Sequence, residues 1–403
     1  MFQLGSKDRQ TKIDWLLLVA VSGLMLLGVA FVYSATMAND STLVAPWYRQ
    51  RFFMQGVWCL FGLSGAVLIC LLDYHILARW GLIAYWATIL SLILVLIPGI
   101  GVTHNWGARR WIDLGFFQAQ PSEFAKLSFI LAMANFLSRP EDELRLPLNF
   151  WKALGMTVLP FLLIMKEPDL GSALILLPVG LTMLYVAGIP VRYLKNLVGG
   201  FAILIALLIV DVLFAPPRFQ IKMEEYQKRR LQVYFGREFV PANATAAEKQ
   251  EARRQQRNYS YNVEQALISV GSGGLVGKGW RQGTQNALGY LPRAVAHNDF
   301  IFSVIAEEKG FMGSVIVLTL YSVVLFTGIR IAGQTRDRLG KLLAVGVVSM
   351  FFSHVFINIG MNIRLMPVTG VPLPLLSYGG SSVLCSLIAA GILQNVYIYR
   401  RSY

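Results

Sequence analysis

Long apolar segments separated by short polar loops run through almost the whole chain. A helix that crosses a bilayer needs roughly 20 mostly apolar residues, and ten segments approach that length. The predicted spans are 15–35, 52–72, 80–97, 122–137, 153–165, 170–187, 195–214, 311–329, 342–361 and 382–398. This pattern predicts an all-α polytopic membrane protein, with residues 1–403 folded as a single integral membrane domain of about ten transmembrane helices.

The pattern breaks between the seventh and eighth spans. Residues 215–298 form a long hydrophilic stretch, which predicts a large loop. The apolar run 300–306 that follows is too short to cross a bilayer. We therefore expect residues 299–310 to dip into the membrane and to return to the surface at Glu307, Glu308 and Lys309.

Composition favours a bilayer rather than water as the main solvent. Of the 403 residues, 55% are hydrophobic and only 14% are charged, with a mean hydropathy of +0.55, whereas soluble domains carry about 25% charged residues. The net charge is +14, but no basic run with interleaved aromatic residues indicates nucleic-acid binding. Lipid headgroups or an anionic substrate account better for the positive charge.

The distribution of basic residues predicts the orientation. With an even number of spans both termini lie on one side, and the short loops of that side carry most of the short-loop lysines and arginines. The positive-inside rule then places both termini in the cytoplasm. In this arrangement the 215–298 loop lies outside. Its basic residues do not contradict the orientation, because loops of this length largely escape the rule.

Transition-metal chemistry has no support in the sequence. Cys59, Cys70 and Cys385 lie inside apolar runs, and the four histidines form no metal-binding spacing. The sequence therefore predicts no structural or catalytic transition-metal site.

Two pairs of polar residues stand at the predicted outer ends of apolar segments, where such residues are costly and are functional candidates. Glu123 and Lys126 in QPSEFAKL share one helical face; the alternative is a local ion pair. Glu167 and Asp169 flank Pro168 in KEPDLGSAL; the alternative is that Asp169 caps the helix.

Two loops carry candidate cations. Arg109 and Arg110 lie beside Trp111 in GARRWID, where the alternative is an interfacial anchor. GSGGLVGKGWRQGTQ (271–285) lacks the hydroxyl residue of an ATP-binding P-loop. Its backbone N–H groups and Lys278 are still candidates for holding a phosphate; the alternative is a flexible loop.

The proline- and glycine-rich segment MPVTGVPLPLLSYGGSS (366–382) leads into the last span. Irregular backbone near membrane depth is tolerated only where it is buried in protein or lines a cavity. Ser377, Gly379 and Ser381 are therefore candidate cavity residues; the alternative is a rigid turn.

Asp299 stands directly before the apolar run in HNDFIFSVIAEEKGF. Asp is a favoured N-cap residue, so a plain helix cap is the alternative to a catalytic carboxylate. All of these candidates fall on the predicted outer side at comparable depth. They suggest one polar cavity, open outward, in which carboxylates and cations lie together.

Six of these stretches resemble the RodA/FtsW (SEDS) family of polytopic cell-wall polymerases. GARRWI, QPSEFAKL, EPDLGSAL, GSGGLVGKGW, HNDFIFSVIAEEKGF and PVTGVPLPLLSYGGSS follow the family's order between residues 107 and 382. The GKGW and GVPLP motifs are more similar in sequence to RodA than to FtsW. The resemblance implies a peptidoglycan glycosyltransferase of the bacterial cytoplasmic membrane that polymerises lipid II for cell elongation, together with a class B penicillin-binding transpeptidase.

The resemblance also implies roles for individual residues. Asp299 matches the family's catalytic aspartate, and its cavity residues fall on Glu123, Lys126 and Asp169. The chain departs from the family where Asn298 replaces a threonine and where the step from Pro292 to His297 is longer than usual. These departures concern the loop that carries the aspartate, and Asp299 itself is retained.

The implied chemistry fits these residue types. A sugar hydroxyl that attacks the anomeric carbon of a diphospholipid can lose its proton to a carboxylate base, and inversion requires no covalent enzyme intermediate. The diphosphate leaving group needs cationic stabilisation, from Lys126, Arg109, Arg110, Lys278 or a divalent cation such as Mg²⁺ or Mn²⁺. The rival hypothesis is a flippase or transporter of a lipid-linked cell-wall precursor, which a polar cavity and proline-broken segments also suit.

Overall fold

The computed structural model describes residues 13–37, 46–103, 109–115, 117–214, 232–235, 246–291 and 295–401. Within these ranges the chain forms eleven helices of 17 residues or more. They are α1 (Trp15–Met37), α2 (Arg51–Leu71), α3 (Tyr74–Leu96), α4 (Pro121–Leu137), α5 (Pro147–Lys166), α6 (Leu170–Val186), α7 (Val191–Phe214), α8 (Ala246–Ser272), α9 (Ile301–Gln334), α10 (Arg338–Asn362) and α11 (Gly380–Tyr399).

These helices confirm an all-α polytopic membrane protein. Each predicted span falls on one helix, and α8 is an additional helix within the long loop between α7 and α9. Much of that predicted loop, at 215–231, 236–245 and 292–294, lies outside the described residues.

Among the described residues, eight helices are long and apolar enough to cross a membrane. The two predicted spans that fall short of this length, α4 and α6, have 17 residues each. Both pack against α10 and against each other, so neighbouring protein rather than lipid surrounds much of their length.

The start of α9 differs from the expected short dip. The helix begins at Ile301 and continues to Gln334, with one non-helical residue at Gly310 (φ 64°, ψ −157°). Glu307 and Glu308 are 0% and 1% exposed, so the expected return of these carboxylates to the surface is wrong. The Gly-rich loop covers them, because the N–H groups of Lys278 and Gly279 donate to their carbonyl oxygens.

A small sheet replaces part of the predicted loop between α3 and α4. Strands β1 (Gly101–Thr103), β2 (Arg109–Asp113) and β3 (Gln118–Ala119) pair antiparallel in that order. Strands of two to five residues are too short to show an alternating pattern, so the sequence does not indicate them. The sheet places Arg109 and Arg110 on β2, shortly before the start of α4.

The segment before α11 passes through the interior of the helix bundle. Leu373 and Leu376 are fully buried. A Cβ on Gly171 of α6 would lie 2.4 Å from a methyl carbon of Val371, and one on Gly28 of α1 would lie 2.2 Å from the carbonyl oxygen of Leu375. Glycine is therefore required at both contacts. The irregular backbone is buried in protein, as its depth in a membrane domain requires.

Candidate active site

A buried lysine lies between a carboxylate and an imidazole. The first two turns of α4 bring Glu123 and Lys126 onto one face, where Lys126 Nζ is 2.6 Å from Glu123 Oε1. Lys126 Nζ is also 2.9 Å from His354 Nε2 of α10, and His354 Nδ1 is 3.2 Å from the carbonyl oxygen of Pro372. A carbonyl only accepts, so Nδ1 carries the proton and Nε2 accepts from the ammonium group. The local ion pair that was the alternative interpretation of Glu123 and Lys126 is therefore present, and it is extended by His354 of α10.

Asp169 joins the starts of α4 and α6. Its Oδ1 accepts from the backbone N–H of Ser172, as a helix N-cap does. Its Oδ2 accepts from Gln120 Nε2 at 3.0 Å and from Ser122 Oγ at 3.1 Å. Asp169 is thus a cap, as the alternative predicted, and also a link between two helices.

Charge and hydrogen bonding keep Asp169 ionised. Burial alone would raise the pKa of this carboxyl. Arg110, hydrogen bonding from Ser172 and the more distant Lys126 outweigh that effect, so the pKa of Asp169 lies below its ordinary value. Arg110 itself donates to the backbone carbonyls of Glu167 and Pro168.

Glu167, in the turn between α5 and α6, behaves in the opposite way. Its side chain is 0% exposed, and neither carboxyl oxygen has a hydrogen-bond partner among the described residues. Burial, and next the neighbouring Asp169, raise the pKa of Glu167 to about 9, while Arg110 lowers it. Two acids separated by one residue therefore differ in protonation at neutral pH.

Asp299 lies directly before α9, whose N-cap is Phe300 without a side-chain cap. The helix-cap alternative for Asp299 is therefore wrong. The residue is half-buried, and its backbone carbonyl accepts from Asn358 Nδ2 at 3.0 Å and Asn362 Nδ2 at 3.1 Å. A Cβ on Gly370 would lie 3.5 Å from Asp299 Oδ2, so the carboxylate faces the segment before α11.

That segment connects Asp299 with the buried lysine. Asn358 Nδ2 donates to Val371 O at 2.7 Å as well as to Asp299 O, and His354 holds the next carbonyl, Pro372 O. Residues 370–372 thus lie between Asp299 and the group around Lys126.

The predicted cavity side chains are closed off rather than open. Glu123, Lys126 and Asp169 are each 3% exposed or less. The structure brings these residues to the neighbourhood of Asp299. They are buried, so they do not line the outward-open cavity that the sequence predicted.

Ser377, Gly379 and Ser381 hold the segment before α11 in place. Ser377 Oγ donates to Asn298 O at 2.6 Å and accepts from Leu373 N. Gly379 N is 3.4 Å from Gln55 Oε1 of α2. Ser381 Oγ accepts from the backbone N–H of Gln120 at 3.0 Å, which ties α11 to the start of α4.

Lys278 belongs to a different group of side chains. Its Nζ is 2.6 Å from Glu307 Oε1 and 2.7 Å from Thr284 Oγ1. The N–H groups of Lys278 and Gly279 donate to the carbonyls of Glu307 and Glu308 at 3.0 and 3.1 Å. The prediction that these groups hold a phosphate is therefore wrong, because they already donate to oxygen atoms of the protein.

Arg109 differs from the other candidate cations in its contacts with the described residues. Its side chain forms no hydrogen bond or ion pair with any described residue, unlike Arg110, Lys126 and Lys278. No group of three or more His, Cys, Asp or Glu side chains in the described part of the chain could hold a metal ion. A divalent cation bound with a diphosphate stays a prediction.

Sequence reasoning missed His354, Asn358 and Asn362. All three lie inside the apolar span of α10, where single polar residues do not interrupt the hydrophobic pattern. Their spacing of four residues was the available signal, because it places them on one helical face.

Comparison with known proteins agrees with this architecture. Residues 14–402 match the FtsW/RodA/SpoVE family model, described as "Cell cycle protein". Stage V sporulation protein E of Bacillus subtilis (strain 168) is 35% identical, with 98% of this chain and 99% of that protein covered. Peptidoglycan glycosyltransferase MrdB of Escherichia coli (strain K12) is 36% identical, with coverage of 79% and 78%.

A solved structure has the same fold. It is described as "Structural coordination of polymerization and crosslinking by a peptidoglycan synthase complex". The aligned chain has a TM-score of 0.74 and 28% identity, with 97% of this chain and 99% of that chain covered. Because the family model spans nearly the whole sequence, the chain belongs to the FtsW/RodA/SpoVE family of cell cycle proteins.

Proposed function

We propose that the chain is a peptidoglycan glycosyltransferase that polymerises lipid II into glycan strands. The relative MrdB carries the name peptidoglycan glycosyltransferase. The observation that supports the same activity here is the segment 370–372, which lies between the carboxylate of Asp299 and the buried pair of Glu123 and Lys126. A base and a cation beside one backbone segment suit proton removal next to a departing diphosphate.

Asp299 acts as the general base. The 4-hydroxyl oxygen of the acceptor sugar forms a bond to the anomeric carbon of the donor, and its proton passes to the Asp299 carboxylate. The bond from that carbon to the diphosphate breaks, and the lipid diphosphate leaves with the electron pair. Two amide donors on the Asp299 carbonyl restrict the movement of the residue, which favours a fixed attack geometry.

The leaving diphosphate is stabilised by arginine. Arg109 has no competing partner among the described residues, and bidentate guanidinium groups bind phosphate oxygens well. Lys126 is 2% exposed and already paired, so it acts through its field rather than by contact. Lys278 is engaged by Glu307 and contributes to the loop rather than to the leaving group.

The proposed side of the membrane for the reaction is argued from the sequence. The excess of basic residues in the short loops that share a side with the termini supports cytoplasmic termini. The active site then faces outward from the bacterial cytoplasmic membrane. A class B penicillin-binding transpeptidase is the proposed partner, since the similar solved structure is of a complex that coordinates polymerization and crosslinking. The RodA-like wording of the motifs supports a role in elongation.

The decisive experiment is lipid II polymerisation by the purified full chain, with and without a transpeptidase. We expect Asp299→Asn to lower the rate by about 10²- to 10⁴-fold, the usual contribution of a general base, while its melting temperature stays close to that of the wild type. Asp113→Asn is the matched control, because Asp113 is an exposed aspartate of β2, and it should keep full activity.

Two outcomes would overturn the proposal. Full activity of Asp299→Asn would remove the base assignment. Translocation of lipid II in liposomes by a wild-type protein that makes no polymer, with or without the transpeptidase, would favour the flippase hypothesis.

A further inference from the structure

One face of α10 carries three polar residues at intervals of four: His354, Asn358 and Asn362. Residues four apart lie on the same side of a helix. The three side chains are 3%, 0% and 0% exposed. Polar side chains inside a membrane-spanning helix are costly, and they are functional candidates by default.

All three side chains contact parts of the proposed active site. His354 accepts from Lys126 and donates to Pro372 O. Asn358 Nδ2 donates to both Asp299 O and Val371 O. Asn362 Nδ2 donates to Asp299 O, and its Oδ1 accepts from Ser303 Oγ of α9 at 2.6 Å.

Asn358 has the central position of the three. Its single amide nitrogen reaches both the residue that carries the proposed base and the segment that leads to His354. Asn362 donates to the same carbonyl of Asp299 from one turn further along α10. The position of Asp299 relative to Lys126 is thereby set through one rigid helix as well as through loops.

We infer that His354, Asn358 and Asn362 are positioning residues that fix the general base Asp299 and the buried cation Lys126 relative to each other. This inference rests on the proposed role of Asp299. None of the three touches the substrate in this scheme. They act through Asp299, Lys126 and residues 371–372, so their loss should lower turnover more than substrate affinity.

The test compares Asn358→Asp and Asn358→Leu with the wild type in lipid II polymerisation, normalised to folded protein. Misplacement of a reacting group by about 1 Å can cost 10²-fold in rate. We expect kcat to fall by at least about tenfold in both variants at pH 8, while the KM for lipid II stays within about twofold.

The Asn358→Asp variant adds a readout that a merely structural role would not produce. An ionised carboxylate at this position has no donor for the two carbonyls, whereas a protonated carboxyl group can donate to one of them. The ratio of Asn358→Asp activity to wild-type activity should therefore rise as the pH falls from 8 to 6. The titratable groups nearest to this position, Asp299, His354 and Lys126, are present in both proteins, and Asn358→Leu, which adds no ionisable group, shows the effect of losing the amide alone.

Asn395 of α11 provides the matched control. It is also fully buried, and its Nδ2 also donates to two carbonyls, those of Ile69 and Leu72 at 2.5 Å. Asn395→Asp should lose stability as well, but its activity per folded molecule should match the wild type and show no added pH dependence.

The outcomes separate the inference from the function on which it rests. Wild-type kcat in Asn358→Leu, together with an inactive Asp299→Asn, would overturn the positioning role and leave the proposed function intact. Activity of Asp299→Asn at the wild-type level would overturn the proposed function and this inference with it. If Asn358→Asp does not fold, Asn358→Leu still decides through its kcat and KM.

Discussion

Two lysine–glutamate pairs have the same Nζ–Oε1 distance of 2.6 Å but lie in very different surroundings. Lys126 and Glu123 lie one turn apart on α4, and both are 3% exposed or less. Lys278 and Glu307 connect the Gly-rich loop with α9, and Lys278 is 26% exposed. Equal distances therefore do not indicate equal roles.

The difference lies in what each pair would leave behind if it were broken. Glu307 Oε1 also accepts from Thr284 Oγ1 and from the backbone N–H of Gln285, so the carboxylate is stabilised even without the lysine. The Glu123 carboxylate depends on Lys126, which is its hydrogen-bond donor among the described residues. The pair in α4 holds a charge in the interior, whereas the loop pair fastens one segment to another.

The largest expected effect is that of Lys126→Met. Removing one partner of a buried ion pair leaves an uncompensated charge and typically costs about 3–5 kcal/mol. We expect a loss of this size in the free energy of unfolding of detergent-solubilised protein, and loss of polymerisation. The double variant Glu123→Gln/Lys126→Met should recover most of the stability and none of the activity. A single variant as stable as the wild type would contradict the role of Lys126 as the partner that stabilises the buried Glu123 side chain.

Sequence patterns reveal the local pair but not the distant one. The spacing of Glu123 and Lys126 is a helical neighbour pattern, and Asp169 stands where a helix cap is expected, so both could be predicted. Lys278 and Glu307 are 29 residues apart, and no short-range pattern reports such a contact. Apolar spans were equally recognisable, because bilayer thickness sets their length.

The remaining misses have the same physical cause. The burial of Glu308 depends on a loop folding over it. The role of Asn358 depends on which backbone groups meet α10 after folding. The cap alternative for Asp299 failed because the backbone enters α9 one residue later, at Phe300. Tertiary contacts decide all three features, and a single sequence shows them only as isolated polar residues.

Glu167 extends the comparison to a buried glutamate that lacks an ion-pair partner. Its pKa is raised to about 9 from 4.5. The stability that depends on the bound proton is therefore fully present below pH 4.5 and is lost as the pH rises toward 9. At pH 7 the folded chain retains a proton that the unfolded chain has released, which costs about 3 kcal/mol.

We therefore expect Glu167→Gln to stabilise the protein by about 3 kcal/mol at pH 7, because glutamine needs no proton. Melting curves of both proteins from pH 5 to pH 9 check this expectation. The two should converge near pH 5 and diverge as the pH rises. Destabilisation at pH 7 would mean that Glu167 is ionised and compensated by Arg110.

Lys278→Met is expected to have the smallest effect of the three. Glu307 keeps two hydrogen-bond donors, and the partial exposure of Lys278 screens the pair, so the loss should be about 1–2 kcal/mol. Polymerisation per folded molecule should stay within a few-fold of the wild type, because the ammonium group holds the loop and does not contact the diphosphate. Thr284→Ala, which removes a neutral donor to the same oxygen, is the matched control.

If Lys278→Met instead abolished activity as fully as Asp299→Asn while remaining folded, the lysine would have to leave Glu307 and contact the substrate. The distinction between a charge-holding pair and a fastening pair would then fail at the loop.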